Sequence, residues 1–379
     1  MTGALKGLRV VEMAAVGPVP FCGMLLADFG AEVVLVDRAP IDTEQLVPVT
    51  LRGRRSIALD LKAPKGPETL LRLIENADVL LEGFRPGVME RLGVGPVECH
   101  GRNPSLIYGR MTGWGQNGPL APTAGHDLNY IAIAGVLAHI GRHGQPPTPP
   151  LNLVGDYGGG AMTLAFGVLA ALLERTASGK GQVVDAAMLD GAALFMTSFW
   201  GMRADVPPSW DESERGVNFL DSGAPFYDVY ETADKKYVAV APVEKPFFGK
   251  LMHLTGLNAD EFPNHHDPAV WPELRKQLTR VFASRTRDEW DAVFAGTDAC
   301  VAPVLTMGEA GAHPHVRDRS TIVEYDGILQ PSPTPRLSRT PGAIQRPSPR
   351  PGEHSAEVLA DWGFVDDEIN ELRELGTVP

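Results

Sequence analysis

"LRVVEMAAVGPVPFCGMLLADFGAEVVLVDR", residues 8 to 38, decides the fold. "LRVVEM" reads as a strand, "AAVGPVP" as a proline-glycine loop, "FCGMLLADFG" as a helix ended by Gly30, and "AEVVLVDR" as a second strand. This is a βαβ unit, whose strands run parallel because the helix carries the chain back across the sheet. Downstream, "SIALDL", "ADVLLEGF" and "SLIYGRMTG" add apolar strands between helical segments such as "GPETLLRLIENA". The alternation predicts a largely parallel α/β sheet. A dinucleotide site needs GxGxxG between the first strand and helix, but "VGPVPFCG" puts prolines where main-chain N–H groups must face a pyrophosphate. The fold is therefore expected to be Rossmann-like without a nicotinamide cofactor. "SGKGQ", residues 178 to 182, lacks the first glycine and the Ser/Thr of a phosphate loop and reads as a turn into "GQVVDAAML".

A chain of 379 residues, 44% hydrophobic and 21% charged, exceeds the ~250 to 300 residues at which one core stops growing. The pattern breaks at the polar "RADVPPSWDESERG", and "FYDVYETADKKYVAVAPVE" then reads as a hairpin turning near Ala233 and Asp234. "WPELRKQLTRVFASRTRDEWDAVFA" has helical periodicity, "TDACVAPVL" is an expected strand, and the prolines between Gly327 and Gly352 suit an extended strap. The final "HSAEVLADWGFVDDEINELREL" reads as two amphipathic helices that return to a domain already built. The expected layout is a large Rossmann-like domain over residues 1–190 completed by 330–379, a connector over 191–222, a smaller α+β domain over 223–310 and a return linker over 311–329.

A net charge of −13 opposes binding to nucleic acid. Three widely spaced cysteines, in no CxxC pair, fit a reducing compartment and argue against a disulfide frame or structural zinc. The longest apolar stretch, "GGGAMTLAFGVLAALL", is too short for a membrane span, which takes ~18 to 20 residues, and is expected to be a buried helix. With no signal segment and no peroxisomal tripeptide in "GTVP", the expected location is cytoplasmic.

"GHDLNYIAIAGVLAHI" sets His126 and Asp127 at the first turn of a helix expected to be buried. The positive end of a helix disfavours an imidazolium and so favours a neutral base, and the same N–H groups can hold an oxyanion. A capping histidine beside a solvated Asp127 explains the segment equally. In "LNLVGDYGGGAMTLAFG", Asp156 stands before Gly158, Gly159 and Gly160, which leave room for a ligand near the backbone; an ordinary N-cap is the alternative. Glu244 in "VAVAPVEKPFFGK" joins a strand to a helix, with a solvated or capping role as the alternative. Together the three have the composition of a proton-transfer site: a neutral base, an acid whose proton burial can retain, and a carboxylate to orient the imidazole. Cys300 has no cationic neighbour in sequence and is expected to be a buried small residue. Arg52, Arg54 and Arg55 in "LRGRRS" read as a solvated loop or as part of an anion-binding patch.

The segments "GLRVVEM", "LLADFGAEVVLVDR", "ADVLLEGFRPGVMERLG", "RMTGWGQNGP", "GHDLNY", "PLNLVGDYGGG", "SGKGQVVDAAM", "GAPFYDVYETADKKYVAV" and "TDACVAPVL" resemble, in order along nearly the whole chain, the α-methylacyl-CoA racemases of the family III CoA-transferase superfamily. The resemblance implies an α/β fold with a Rossmann-like large domain and a smaller α+β domain, in an interlocked homodimer whose active sites lie between the large domain of one chain and the small domain of the other. It implies that His126 and Asp156 are two bases facing the α-carbon of a 2-methylacyl-CoA thioester, with Glu244 partnering the histidine. The implied activity is racemisation through an enolate, with no metal or redox cofactor and with CoA as part of the substrate. The implied CoA contacts are Arg38, Leu59, Lys62, Gly83, Phe84, Arg85 and Arg91, followed by the run Gly125, His126, Asp127, Leu128, Asn129 and Tyr130. Met188 and Phe219 are candidates for the acyl pocket. Around Glu244 the chain departs from the family's Gly-Ala-Ile-Glu-Pro, with a proline before the acid and a lysine after it. The alternative activity is CoA transfer with Asp156 as nucleophile, which has no need of a base at position 126.

Overall fold

Strand β1 (Arg9–Met13) passes through Gly17 into α1 (Pro18–Asp28) in a computed structural model that describes residues 3–38 and 47–379. Gly17 has φ of 71°, which a residue with a side chain adopts only under strain, and Pro18 occupies the first helical position, where its missing N–H costs nothing. Next come β2 (Glu32–Arg38), β3 (Arg54–Leu59), α2 (Gly66–Glu75), β4 (Val79–Glu82), α3 (Val88–Arg91), α4 (Pro96–Arg102), β5 (Ile107–Thr112) and α5 (Asp127–Ile133). A π-helix (Leu153–Met162) runs on into α6 (Thr163–Ser178), followed by β6 (Gln182–Ala187) and α7 (Met188–Phe195).

The six strands form one parallel sheet in the order β3-β2-β1-β4-β5-β6. The connections leave β1 and β4 in opposite directions, so a crevice opens beyond their carboxyl ends, the usual ligand site of a doubly wound sheet. Alternate residues of β1 feed the two faces. Val11 and Met13 pack with Leu70, Leu73 and Ile74 of α2, while Val10 packs with Val19, Cys22 and Leu26 of α1 and Leu164 and Val168 of α6.

In the second unit, α8 (Thr197–Ala204), β7 (Asp228–Glu231), β8 (Tyr237–Val240), α9 (Lys245–Thr255), α10 (Trp271–Phe282), α11 (Arg287–Phe294), β9 (Val301–Pro303) and α12 (Met307–Ala312) follow in order. Its strands form an antiparallel sheet, β7-β8-β9, over a core that includes Phe226, Leu251, Phe282 and Trp290. The chain then returns through α13 (Pro314–Asp318), the hairpin of β10 (Ile322–Tyr325) with β11 (Ile328–Pro331), α14 (Ser355–Asp361) and α15 (Asp366–Glu374). Val358, Leu359, Trp362, Ile369 and Leu372 complete the α2 face of the first sheet.

The two compact units are 1–134 with 151–195 and 314–379, and 135–150 with 196–313. These bounds differ from the expected ones. Residues 135–150 belong to the second unit, where Arg142 pairs with Asp228 at 2.5 Å and Arg215 Nε donates to the Gln145 carbonyl at 2.8 Å. Nor is 191–222 a plain connector: α7 packs in the first unit, and Trp210 is buried against Phe199 in the second.

Four other expectations need correction. The apolar helix is longer than its sequence suggested, spanning 26 residues from Leu153 to Ser178, long and apolar enough to cross a membrane by length and composition. It is only half sunk: Leu164 and Val168 face the sheet, while Phe166 and Leu173 are 76% and 71% exposed. Helix α5 has seven residues, not a long buried run, and leaves Leu128 and Ile133 exposed. Arg52, Arg54 and Arg55 are neither solvated nor free for an anion: they pair with Asp28, with Glu12, and with Glu32, Glu357 and Asp361 respectively. Cys300 is exposed because Ala299, fully buried, takes the inward position before β9.

Candidate active site

A cleft of about 550 Å³ occupies the crevice beyond β1, β4 and β5. Its walls come from the loop entering α1 (Val16 to Val19), the loop after β4 (Gly83 to Pro86), the end of β5 (Met111 to Trp114), the approach to α5 (Thr123 to His126) and one face of the π-helix (Asn152, Asp156, Tyr157). His126 and Asp156, 30 positions apart in sequence, line this one cleft.

His126 is the N-cap of α5, in extended conformation, and its main-chain N–H donates to Asn129 Oδ1 at 3.1 Å, which fixes the turn. Asp156 lies in the first turn of the π-helix and accepts from Asn152 Nδ2 at 3.0 Å. Burial pushes the Asp156 carboxyl above its ordinary 3.8; the Asn152 hydrogen bond and His126 oppose this, and the Asp127 charge adds to it. An acid so placed keeps its proton to a higher pH than a solvated aspartate.

Asp127 joins the two. It is 5% exposed, and its Oδ2 accepts from the main-chain N–H of Gly155 at 2.6 Å and of Asp156 at 2.7 Å. A Cβ at position 155 would stand 2.7 Å from that oxygen, so the contact requires glycine. The solvated Asp127 of the sequence alternative is thus excluded. The other glycines serve packing: a Cβ on Gly158 would meet the Phe195 ring at 2.9 Å, and one on Gly159 the Ala192 main chain at 2.6 Å. One on Gly160 would meet Met188 at 2.9 Å. Helix α7 fills the space expected for a ligand.

Of the implied CoA contacts, Gly83, Phe84, Arg85, Gly125, His126 and Tyr130 line the cleft. Tyr130 packs edge-on against Trp114 at 4.7 Å and donates its hydroxyl to the Gly125 carbonyl. Arg38 and Lys62 are exposed outside the cleft but at the same carboxyl edge of the sheet, Arg38 ending β2 and Lys62 following β3. Arg91 is exposed at the end of α3. The Leu59 side chain is core, 2% exposed, which leaves only its main chain to meet a ligand. Leu128 and Asn129 are exposed but do not line the cleft, and Asn129 is spent on the His126 turn. Met188 lines the cleft, whereas Phe219 packs on the core of the second unit. Glu244 also belongs to the second unit, exposed at the N-cap of α9, and its carbonyl accepts from the Phe248 N–H at 2.9 Å. Sequence reasoning missed Gly17, Asn152 and Trp114. Asn152 is four residues before Asp156, one helical turn away, a signal the sequence did carry.

The raised Asp156 carboxyl has a signed consequence. Between the unfolded and folded values the native state holds a proton that the unfolded chain has released, so stability falls as pH rises through that window. Asp156→Asn removes the penalty while keeping an oxygen for Asn152. The variant is expected to melt higher than the parent at pH 8, with the difference shrinking toward pH 4; a difference independent of pH contradicts this.

The chain matches CoA-transferase family III over residues 5–355. It is 47% identical to a mouse protein and 46% to a human one, both named alpha-methylacyl-CoA racemase, over 97% of this chain and 96% of each of theirs. It is 32% identical to a succinyl-CoA–D-citramalate CoA-transferase of Chloroflexus aurantiacus, over 97% of this chain and 96% of that one. Among solved structures, a CAIB/BAIF family protein from Brucella suis superposes with a TM-score of 0.82 at 26% identity, covering 96% of this chain and all of that one. The family match, the identities over nearly the full chain and the superposition agree, and the chain belongs to CoA-transferase family III.

Proposed function

We propose that the chain is a racemase of 2-methylacyl-CoA thioesters. The observation that carries this is the pairing of His126 with a proton-retaining Asp156 in one cleft at the carboxyl edge of the sheet. The α-proton of one enantiomer passes to the His126 imidazole, and its C–H electron pair forms the C=C of a planar enolate as the thioester oxygen gains the negative charge. Protonated Asp156 then delivers its proton to the opposite face. His126 is left protonated and Asp156 ionised, and the other enantiomer runs the same steps in reverse. The thioester oxygen that gains the charge is stabilised by whatever donors face it, and a preorganised donor contributes roughly 3 to 4 kcal/mol. The proton carriers are side chains, and CoA enters as part of the substrate. Arg85 in the cleft, with Arg38, Lys62 and Arg91, supplies the cations its phosphates require in an acidic protein.

The acting form is a homodimer, with Glu244 brought to His126 by the partner copy. The exposed apolar side chains Phe166, Leu173, Ile133 and Leu153 support this, since a monomer rarely leaves so many uncovered. Light scattering is expected to give twice the chain mass, and a single-chain mass contradicts it. Three free thiols support a cytoplasmic setting.

One enantiomer of a 2-methylacyl-CoA, incubated in D2O without any acceptor acid, tests the activity. Inversion with deuterium at the α-carbon is expected. No exchange, together with CoA transfer to an added carboxylate, establishes the transferase chemistry instead.

A further inference from the structure

We propose that Asp127 is a positioning residue rather than a CoA contact: its buried carboxylate fixes Asp156 relative to the His126 turn by gripping the start of the π-helix. The inference deepens the two-base reading and rests on it for its kinetic arm alone. Asp127 does not line the cleft. Its Oδ2 takes the N–H groups of Gly155 and Asp156 together, so the residue next to His126 is tied to the main chain of Asp156 itself. From one proton carrier to the other the path is one peptide unit, one side chain and one hydrogen bond. Such a short link holds two groups that must face a common carbon, where a displacement of about 1 Å can cost 10²-fold in rate. The grip is built in from both sides, since only glycine at 155 admits the carboxylate.

The second route is charge. The charged or titratable groups around Asp156 are Asp127, His126 and Tyr130 on the α5 side, with Arg85 and Tyr157 on the same cleft and Asn152 as a neutral donor on its own helix. Asp127 Oδ1 is buried with no hydrogen-bond partner among the described residues, so the side chain is held by the two N–H groups alone, and its proximity to Asp156 adds to the upward push on that carboxyl. Asp127 thereby helps Asp156 keep the proton it must donate.

Two variants separate the routes. Asp127→Asn keeps an oxygen for both N–H groups and removes the charge; Asp127→Ala removes both. The readouts are the carbon-13 carboxyl titration of Asp156, assigned with Asp156→Asn, the hydrogen exchange of the Gly155 and Asp156 amides, and kcat and KM for inversion. In Asp127→Asn the Asp156 midpoint is expected to fall, with both amides still protected. In Asp127→Ala both amides exchange faster, and kcat falls by about 10²-fold at unchanged KM. An unmoved midpoint with unaltered amide protection overturns the proposal, as does a raised KM at constant kcat, the mark of a CoA contact. If the parent protein inverts no thioester, the racemase reading fails, and the titration and exchange still decide the role of Asp127.

Discussion

His126→Ala and Asp156→Ala each lower the rate of inversion by about 10²-fold or more, the usual contribution of a placed acid or base. Both side chains stand on the cleft wall and neither supports the core: His126 is exposed, and Asp156 has one side-chain partner among the described residues, Asn152. Folding is therefore expected to survive in both variants, and CoA itself is expected to bind as to the parent, because the cations proposed for its phosphates are untouched. The expected signature is a loss in kcat with a nearly constant KM. Asp156→Asn is expected to lose activity as well, yet to be more stable at pH 8, which separates a loss of activity from unfolding. Full turnover in either variant removes that residue from the mechanism.

Arg54→Ala destabilises the first unit by about 3 to 5 kcal/mol, the loss expected when one half of a buried ion pair is removed. Arg54 and Glu12 have fully buried side chains and meet through two hydrogen bonds, Nε to Oε2 at 2.9 Å and Nη2 to Oε1 at 3.1 Å. Arg54 also donates to the Thr50 carbonyl at 2.6 Å and to the Pro20 carbonyl at the start of α1. The guanidinium thus ties β3 to β1 and to the helix whose entry loop forms one wall of the cleft. Without it, the Glu12 carboxyl remains in a space so full that a Cβ on Gly23 would lie 1.8 Å from its oxygen. Replacing both partners by methionine is expected to recover much of the loss, since a packed apolar pair has no charge to desolvate. Denaturant unfolding of the two variants measures this, and a loss below about 1 kcal/mol for Arg54→Ala contradicts it.

The same arginine shows where sequence reasoning stopped. "LRGRRS" looks like a solvated loop because its acid partners, Glu12 and Asp28, lie 42 and 24 positions earlier, inside apolar segments that give no hint of a buried cation. The sheet was legible because its signal is local: valine runs, a Pro-Gly loop and a Gly stop suffice to write a βαβ unit. His126 and Asp156 were legible as ionisable groups beside apolar runs. The role of the glycines was not, because what they accommodate, α7, is a helix about 30 residues further on. Asp127 looked solvated for a similar reason: its acceptor role is to main-chain N–H groups 28 and 29 positions away, and a main chain has no sequence signature.

The most direct test of the mechanism follows each enantiomer separately in D2O with one proton carrier removed. Asp156→Ala is expected to exchange the α-proton of only one enantiomer, with retention, through the surviving His126, and His126→Ala to exchange only the other. If either variant exchanges both enantiomers, or both variants act on the same one, the two groups do not stand on opposite faces of one carbon.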